Sequence, residues 1–241
     1  MTTKAAKRAI QKHKKFLSLP LSTNDGRSLL EFDFLLMDTK KSRMMAKLFM
    51  KYLRSSGKVH VTTPAGTDMM FYKENRNPGF FNGVLRDGKG YSSSSIEVYV
   101  PIEETKTEGI MVLDGSLGYI GRADEPTRII FKGGRIVDIE ETPTGIRLKK
   151  YMEEYFDPRI YIAGELGIGL NSCSNCLGNC YIEDESAYGT FHVGLGRNIA
   201  LGGVQNAKGH FDLVCREPDI FTDNRQIMDR GKIIAPEPVL Y

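Results

Sequence analysis

Between Glu165 and Asp212 the chain reads ELGIGLNSCSNCLGNCYIEDESAYGTFHVGLGRNIALGGVQNAKGHFD, gathering two of its four histidines, five acids and three of its four cysteines among closely spaced glycines. In His210-Phe211-Asp212 an imidazole and a carboxylate stand two residues apart. On a strand, where side chains alternate with period two, both point to one face. Such a pair suits a borderline divalent ion such as zinc, manganese or iron. His192, inside YGTFHVGLG, offers a third donor and Glu165 a fourth. An isolated His-x-Asp carries little weight, since histidines often only satisfy a buried hydrogen bond. Glu165 adds to it. The run RIYIAGELGIGL around it reads as a buried strand, where an ionised carboxylate costs several kcal/mol unless a cation meets it.

The elements that must position these donors can be read from the pattern of apolar residues. The basic segment Lys4 to Leu17 places Ala6, Ala9, Ile10, His13, Phe16 and Leu17 at helical spacing, and is expected to be a docked terminal helix with a solvated lysine face, a partner-binding or membrane-surface helix being the alternative. After a polar loop, Ser18 to Asn24, comes the apolar run Leu29 to Met37. Asp38 or Thr39 is placed to cap a helix from Lys40 to Arg54 with Met44, Met45, Leu48, Tyr52 and Leu53 as its buried stripe, ended by Gly57. Lys58 to Thr63 alternates as a strand, which makes His60 structural. From Asp68 to Ser95 the turns NPG and DGKG and four serines predict a long linker or a substrate-facing lid. Glu97, alternating with Ile96, Val98 and Val100, lies on a strand and by this pattern alone is a solvated residue. Gly109 to Ile120 and Thr127 to Glu140 read as antiparallel hairpins. A helix from Thr142 or Thr144 to near Phe156, with Ile146, Leu148, Tyr151, Met152 and Tyr155 on one face, stops at Asp157-Pro158 before the strand carrying Glu165. Further short strands, including a hairpin over IFTDNRQIMDRGKII, fill the segment from Leu213 to Tyr241. The expected architecture is α+β, mainly antiparallel sheet with flanking helices: a helical N-terminal segment, 1–57, and a metal-binding domain, 58–241.

Composition narrows the class. The chain is 41% hydrophobic and 26% charged, values ordinary for a soluble globular protein, and has no apolar run of eighteen residues to suggest a membrane span. Lys4, Lys7, Arg8, Lys12, Lys14 and Lys15 precede the first acid, Asp25; against a net charge of +3 they leave the remainder at −3. That body is not a basic nucleic-acid binder. Cys173, Cys176 and Cys180 have the spacing C-x2-C-x3-C, with Cys215 beyond the HFD motif. Four thiols can hold zinc or an iron–sulfur cluster, but this spacing fits no familiar framework, and small loop residues or a disulfide are the alternatives. With no secretory signal in the sequence, a cytoplasmic location and reduced thiols are expected.

The order of GELGIGLN, DE, GTFHVGLG, GG and HFD resembles the metal-dependent aminopeptidases of the aminopeptidase T and S type. The resemblance continues upstream through EVYVPIEETKTEGIMVLDGS and TRIIFKGGRIVDIE and, more faintly, TTPAGTDMMF, covering roughly the last three-quarters of the chain. It implies a two-metal site of Glu97, Glu165, His192, His210 and Asp212 with Glu165 between the ions, zinc, cobalt or manganese as the metal, Glu185 as general base, and a homodimer. Departures accompany it. Glu185 lies seven residues before His192, a longer spacing than in those enzymes, and Arg197-Asn198-Ile199 stands where they tend to place a tyrosine. Those enzymes also carry a large domain where this chain has about sixty residues. The same superfamily resemblance includes 2,5-dihydroxypyridine 5,6-dioxygenase, which implies a single iron at His192, His210 and Asp212. The first expectation is therefore a peptide- or amide-cleaving hydrolase, in which the metals lower the pKa of a bound water and polarise the substrate carbonyl. The alternatives are an iron dioxygenase acting on a small aromatic or chelating substrate, and a non-catalytic peptide- or partner-binding paralogue.

Overall fold

The computed structural model describes residues 4–19, 23–85, 90–223 and 225–234. Residues 20–22 of the expected polar loop, most of the DGKG turn, and the chain end from 235 lie outside the described residues, as do the side chains of Ala6 and Ile10. The first helix is shorter than its apolar spacing predicts. Helix α1, Lys4–Gln11, is followed by a left-handed His13 with φ 57°, and Phe16 and Leu17 belong instead to strand β1, Lys15–Ser18. Two short 3-10 turns, Leu29–Glu31 and Asp33–Leu36, occupy the next apolar run. Helix α2, Thr39–Ser55, starts where Asp38 accepts from the amides of Lys40 and Lys41. Its buried face is Ala46, Leu48, Phe49, Met50 and Leu53, and Met44 faces solvent. The stripe is turned because α2 packs on strands β4, Gly79–Asn82, and β6, Ile96–Pro101. Between α2 and β4 lie β2, Lys58–Thr62, and β3, Asp68–Tyr72.

The stretch read as a linker thus carries three strands, β3, β4 and β5, Gly90–Ser93; Ser92, Ser93, Ser94 and Ser95 are all buried. Strands β8, Thr127–Lys132, and β9, Arg135–Ile139, form the second expected hairpin, whereas Gly109 to Ile120 is not a hairpin: β7, Glu108–Leu113, pairs with β8, and a 3-10 turn, Gly118–Ile120, follows it. Helix α3, Pro143–Glu153, is capped by Thr142 accepting from the Gly145 amide; it buries Leu148 and Met152 but leaves Ile146 exposed. Then come β10, Ala163–Gly169, a short helix α4, Tyr181–Ser186, β11, Thr190–Gly196, β12, His210–Arg216, β13, Asp219–Thr222, β14, Arg225–Asp229, and β15, Lys232–Ile233.

These strands make an eight-stranded sheet, β15-β14-β13-β2-β3-β7-β8-β9, and a five-stranded sheet, β12-β11-β10-β6-β4, both wholly antiparallel. β1 and β5 form a separate parallel pair. The fold is α+β, as expected. The first 57 residues hold a strand as well as helices, and α2 shares one apolar core with both sheets, including Val59, Phe71, Phe131, Val98, Leu166 and Phe191. Each such fully buried side chain contributes roughly 1.5–3 kcal/mol. Among the described residues no helix is long and apolar enough to cross a membrane.

Candidate metal centre

Pairing in the five-stranded sheet explains why glycines crowd the chemical residues. In an antiparallel pair, residues opposite each other point to the same face. Glu97 lies opposite Gly169, Glu165 opposite Gly194, His192 opposite Gly167, Asp212 opposite Gly194 and His210 opposite Gly196. Every donor is therefore on one face, and each has a glycine across from it. The glycines provide room: a Cβ at Gly167 would lie 1.9 Å from His192 Nε2, and one at Gly194 would lie 2.8 Å from Glu165 Oε2 and 2.7 Å from His210 Cε1. The alternate residues Leu166, Ile168, Phe191, Val193, Leu195, Phe211 and Leu213 fill the core from the opposite face. Helix α4 lies over the donor face, touching β6, β10, β11 and β12. This helix was not expected, and it brings the Glu185 carboxyl close to that of Asp212, where each affects the other's charge.

All six residues singled out for chemistry therefore meet. Glu97, reached as a ligand through resemblance alone, is buried at 5% exposure, so its reading as a solvated strand residue is corrected: α4 covers the face on which it stands. Donor atoms of Glu97, Glu165 and His192, and separately of Glu165, His210 and Asp212, fall within 4.8 Å of one another. Glu165 belongs to both groups, and the triad of His192, His210 and Asp212 is divided between them. His192 Nε2 lies 2.9 Å from Glu97 Oε2, and His210 Nε2 lies 3.3 Å from both Glu165 Oε2 and Asp212 Oδ1. Neighbouring ligand atoms around an ion with bonds of about 2.0–2.2 Å stand roughly 3 Å apart, so the spacing fits a small divalent cation. Among the described residues, Glu97 Oε2 and Asp212 Oδ1 are buried with no well-formed hydrogen bond and face imidazole nitrogens, and His192 Nδ1 is buried without a partner. Buried polar atoms are rarely left so, and a metal accounts for such acceptors on converging strands.

Charge follows from this crowding. Burial raises Glu185 well above the ordinary glutamate, and Glu97, Asp212 and Glu165 add to the effect. Burial also raises Glu165, against the pull of His210. It draws His192 down, but the Glu97 carboxylate outweighs it and holds the imidazole at about 9. His210 is likewise pushed well above its usual value, with Asp212 and Glu165 overcoming burial. Asp212 is held at about 2, where His210 and then His192 overcome desolvation. Without a metal, protons on the imidazoles balance the carboxylates; a divalent ion would replace them.

The surrounding contacts fix the ligands. His210 Nδ1 donates to the Arg197 carbonyl at 2.9 Å, turning Nε2 toward the acids. The loop carrying Arg197 is held by Glu104, whose carboxylate accepts from Arg76, from Asn198 Nδ2 at 2.8 Å and from the Val204 amide at 2.9 Å. Asp184, fully buried on α4, accepts from Ser116 Oγ at 2.7 Å and the Gly178 amide at 2.8 Å. Sequence reasoning missed Ser116, Asp184 and the Tyr119–Tyr181 ring pair, centroids 4.2 Å apart, beside α4. Only the DE of the resemblance pointed toward that helix. The cysteines are free thiols, and among the described residues neither donor group contains one. Burial pushes Cys176 up to about 12 and raises Cys180 and Cys215, which disfavours the thiolates a metal would need. His60 is structural, 2.7 Å from Asp68.

The family model of NicX, 2,5-dihydroxypyridine 5,6-dioxygenase, matches residues 33–235. The 2,5-dihydroxypyridine 5,6-dioxygenase of Pseudomonas putida is 25% identical over 216 residues, 83% of this chain and 60% of that protein, so the chain spans about three-fifths of the relative's length. The solved 2,5-dihydroxypyridine dioxygenase from Pseudomonas putida KT2440 superposes with a TM-score of 0.83 at 20% identity, covering 98% of this chain and 70% of that one. Wild-type AmpT from Thermus thermophilus gives a TM-score of 0.59 at 16% identity, covering 81% and 54%. Both structural likenesses are likenesses of fold. The expectation of a peptide- or amide-cleaving aminopeptidase is overturned, because both the family model and the curated relative are dioxygenases. The strand motifs that carried the resemblance do not by themselves specify a reaction.

Proposed function

Since the chain belongs to the 2,5-dihydroxypyridine 5,6-dioxygenase family, we propose that it is a ferrous-iron enzyme that opens a small, electron-rich hydroxylated ring with dioxygen. The observation that carries this reading is the convergence of buried donors, Glu97 Oε2 on His192 Nε2 and Asp212 Oδ1 on His210 Nε2, neither oxygen with a well-formed hydrogen bond among the described residues, on a face that α4 covers. His192, His210 and Asp212 would hold the iron once drawn together from the two donor groups that Glu165 joins, with Glu165 and Glu97 beside them. Two imidazoles and carboxylates with room for other ligands are the donors that non-haem iron oxygenases use. When bound, ferrous iron supplies the one-electron chemistry that lets dioxygen react with a ring carbon.

The chain's own residues do the rest. The Arg197 carbonyl keeps the proton of His210 on Nδ1, which leaves Nε2 free to ligate. Glu185 holds a proton at its carboxyl beside Asp212 and is placed to exchange it with a ring hydroxyl. Tyr119, half-exposed and paired with Tyr181, offers a planar substrate an aromatic face beside the cluster.

The test is anaerobic loading with ferrous iron, counting iron per chain, then adding 2,5-dihydroxypyridine and following oxygen uptake and loss of ring absorbance. Iron-dependent uptake, with label from heavy dioxygen in a ring-opened product, supports the reading. Iron-loaded protein that consumes no oxygen with this or related hydroxylated rings refutes it. The metal count also decides whether the groups joined at Glu165 take one ion or two.

A further inference from the structure

Ser95 is fully buried, and its Oγ donates to Glu97 Oε1 at 2.8 Å. The other carboxylate oxygen, Oε2, faces His192 Nε2 at 2.9 Å and has no other partner among the described residues. The two oxygens of Glu97 are thus differentiated, one satisfied by a hydroxyl and one presented to the donor cluster. The hydroxyl is itself anchored. The Ser95 amide donates to Ser93 Oγ at 3.2 Å, and the next amide, of Ile96, donates to Ser186 Oγ at 2.9 Å. Ser186 Oγ in turn donates to the Ile182 carbonyl at 2.6 Å, so the start of β6 is tied to the helix that covers the site. A carboxylate lacking such a contact can rotate to put both oxygens on one cation, or neither.

We propose that Ser95 is a positioning residue that holds Glu97 with a single oxygen facing the metal centre. It acts through Glu97 and touches neither substrate nor metal. The proposal rests on the reading of this face as a metal site, and adds a residue that neither motif nor resemblance singled out. Partners that orient a metal ligand are worth roughly 10–100-fold in metal affinity.

The experiment is a cobalt(II) titration of the full chain, followed by the visible absorption of the bound ion, for wild type, Ser95→Ala, Glu97→Gln and Ser94→Ala. Ser94 is also buried, and its hydroxyl has no hydrogen-bond partner among the described residues, so its variant controls for simply removing a buried oxygen. The expected result is a loss of about 10–100-fold in affinity for Ser95→Ala, an altered absorption band, and wild-type behaviour for Ser94→Ala. Wild-type affinity and spectrum in Ser95→Ala overturn the proposal, as does an equal loss in Ser94→Ala. If Glu97→Gln binds cobalt like wild type, Glu97 is not a ligand and the proposal fails while the metal reading stands. If wild type binds no cobalt, both fail.

Discussion

The two sheets are both antiparallel, yet they treat polar residues in opposite ways. In the eight-stranded sheet, β2, β3 and β8 alternate between buried and more exposed residues, with the core on one face and water on the other. In the five-stranded sheet, β10 and β11 are buried at every residue, one face apolar and the other carrying glycines and donors. Each sheet contains a histidine close to an aspartate. His60 and Asp68 lie 2.7 Å apart with the Asp68 side chain 72% exposed, whereas His210 and Asp212 lie 3.3 Å apart with the Asp212 side chain 8% exposed. The exposed pair is worth about 0–1 kcal/mol. The second shares its site with three further carboxyl groups, and burying that many needs a cation. The same side-chain types are therefore structural or chemical according to what covers them.

The largest expected break in this contrast is at the residue common to both donor groups. Glu165→Gln should lower iron affinity by more than about 100-fold and abolish iron-dependent oxygen uptake, while the metal-free variant melts no lower than metal-free wild type because one crowded carboxylate is gone. Full iron binding by this variant, read by elemental analysis, would remove Glu165 from the centre. Next in size is the glycine cradle. Gly167→Ala should cost about 1–3 kcal/mol in denaturant unfolding and reduce metal content, because the new methyl meets the His192 ring. Gly57→Ala, with nothing within 4 Å of its Cβ, is the comparison and should change stability by less than about 0.5 kcal/mol.

Protonation sharpens the contrast further. His192 stands at about 9 in the folded, metal-free protein, above the ordinary 6.5. Its contribution to stability is therefore fully present below about pH 6.5 and lost as pH rises through about 9. A ligating imidazole must give up that proton, so metal uptake near pH 7 should release protons. Calorimetric titrations in two buffers of different ionisation enthalpy should then give different heats; identical heats contradict it. The smallest effect belongs to the solvated pair: Asp68→Asn should shift stability by less than about 1 kcal/mol and leave metal content unchanged.

Much of the donor set was legible because strand periodicity is local. His210 and Asp212 share a face by spacing alone, and Glu165 was conspicuous in an apolar run. The errors were also local in origin. Met44 and Ile146 fit helical stripes that packing turned outward, and a serine-rich stretch with turn residues read as a linker, or else a lid, although Ser92 to Ser95 are buried. The α1 stripe ran past its true end because His13, left-handed at φ 57°, reverses the chain before Phe16 and Leu17 pair with β5.

By itself, the sequence determined an antiparallel α+β chain with a donor-bearing strand face, since alternation and glycine spacing are written in neighbouring residues. Only the tertiary structure decided that Glu97 joins that face. IEVYV alternates like any half-solvated strand, and what buries its glutamate is pairing with β10 and the cover of α4, both supplied from distant parts of the chain. Burial turned those carboxylates from solvated charges into a crowded set that imidazole protons or a metal must balance, because in a poorly polarisable interior an unpaired charge costs far more than it does in water.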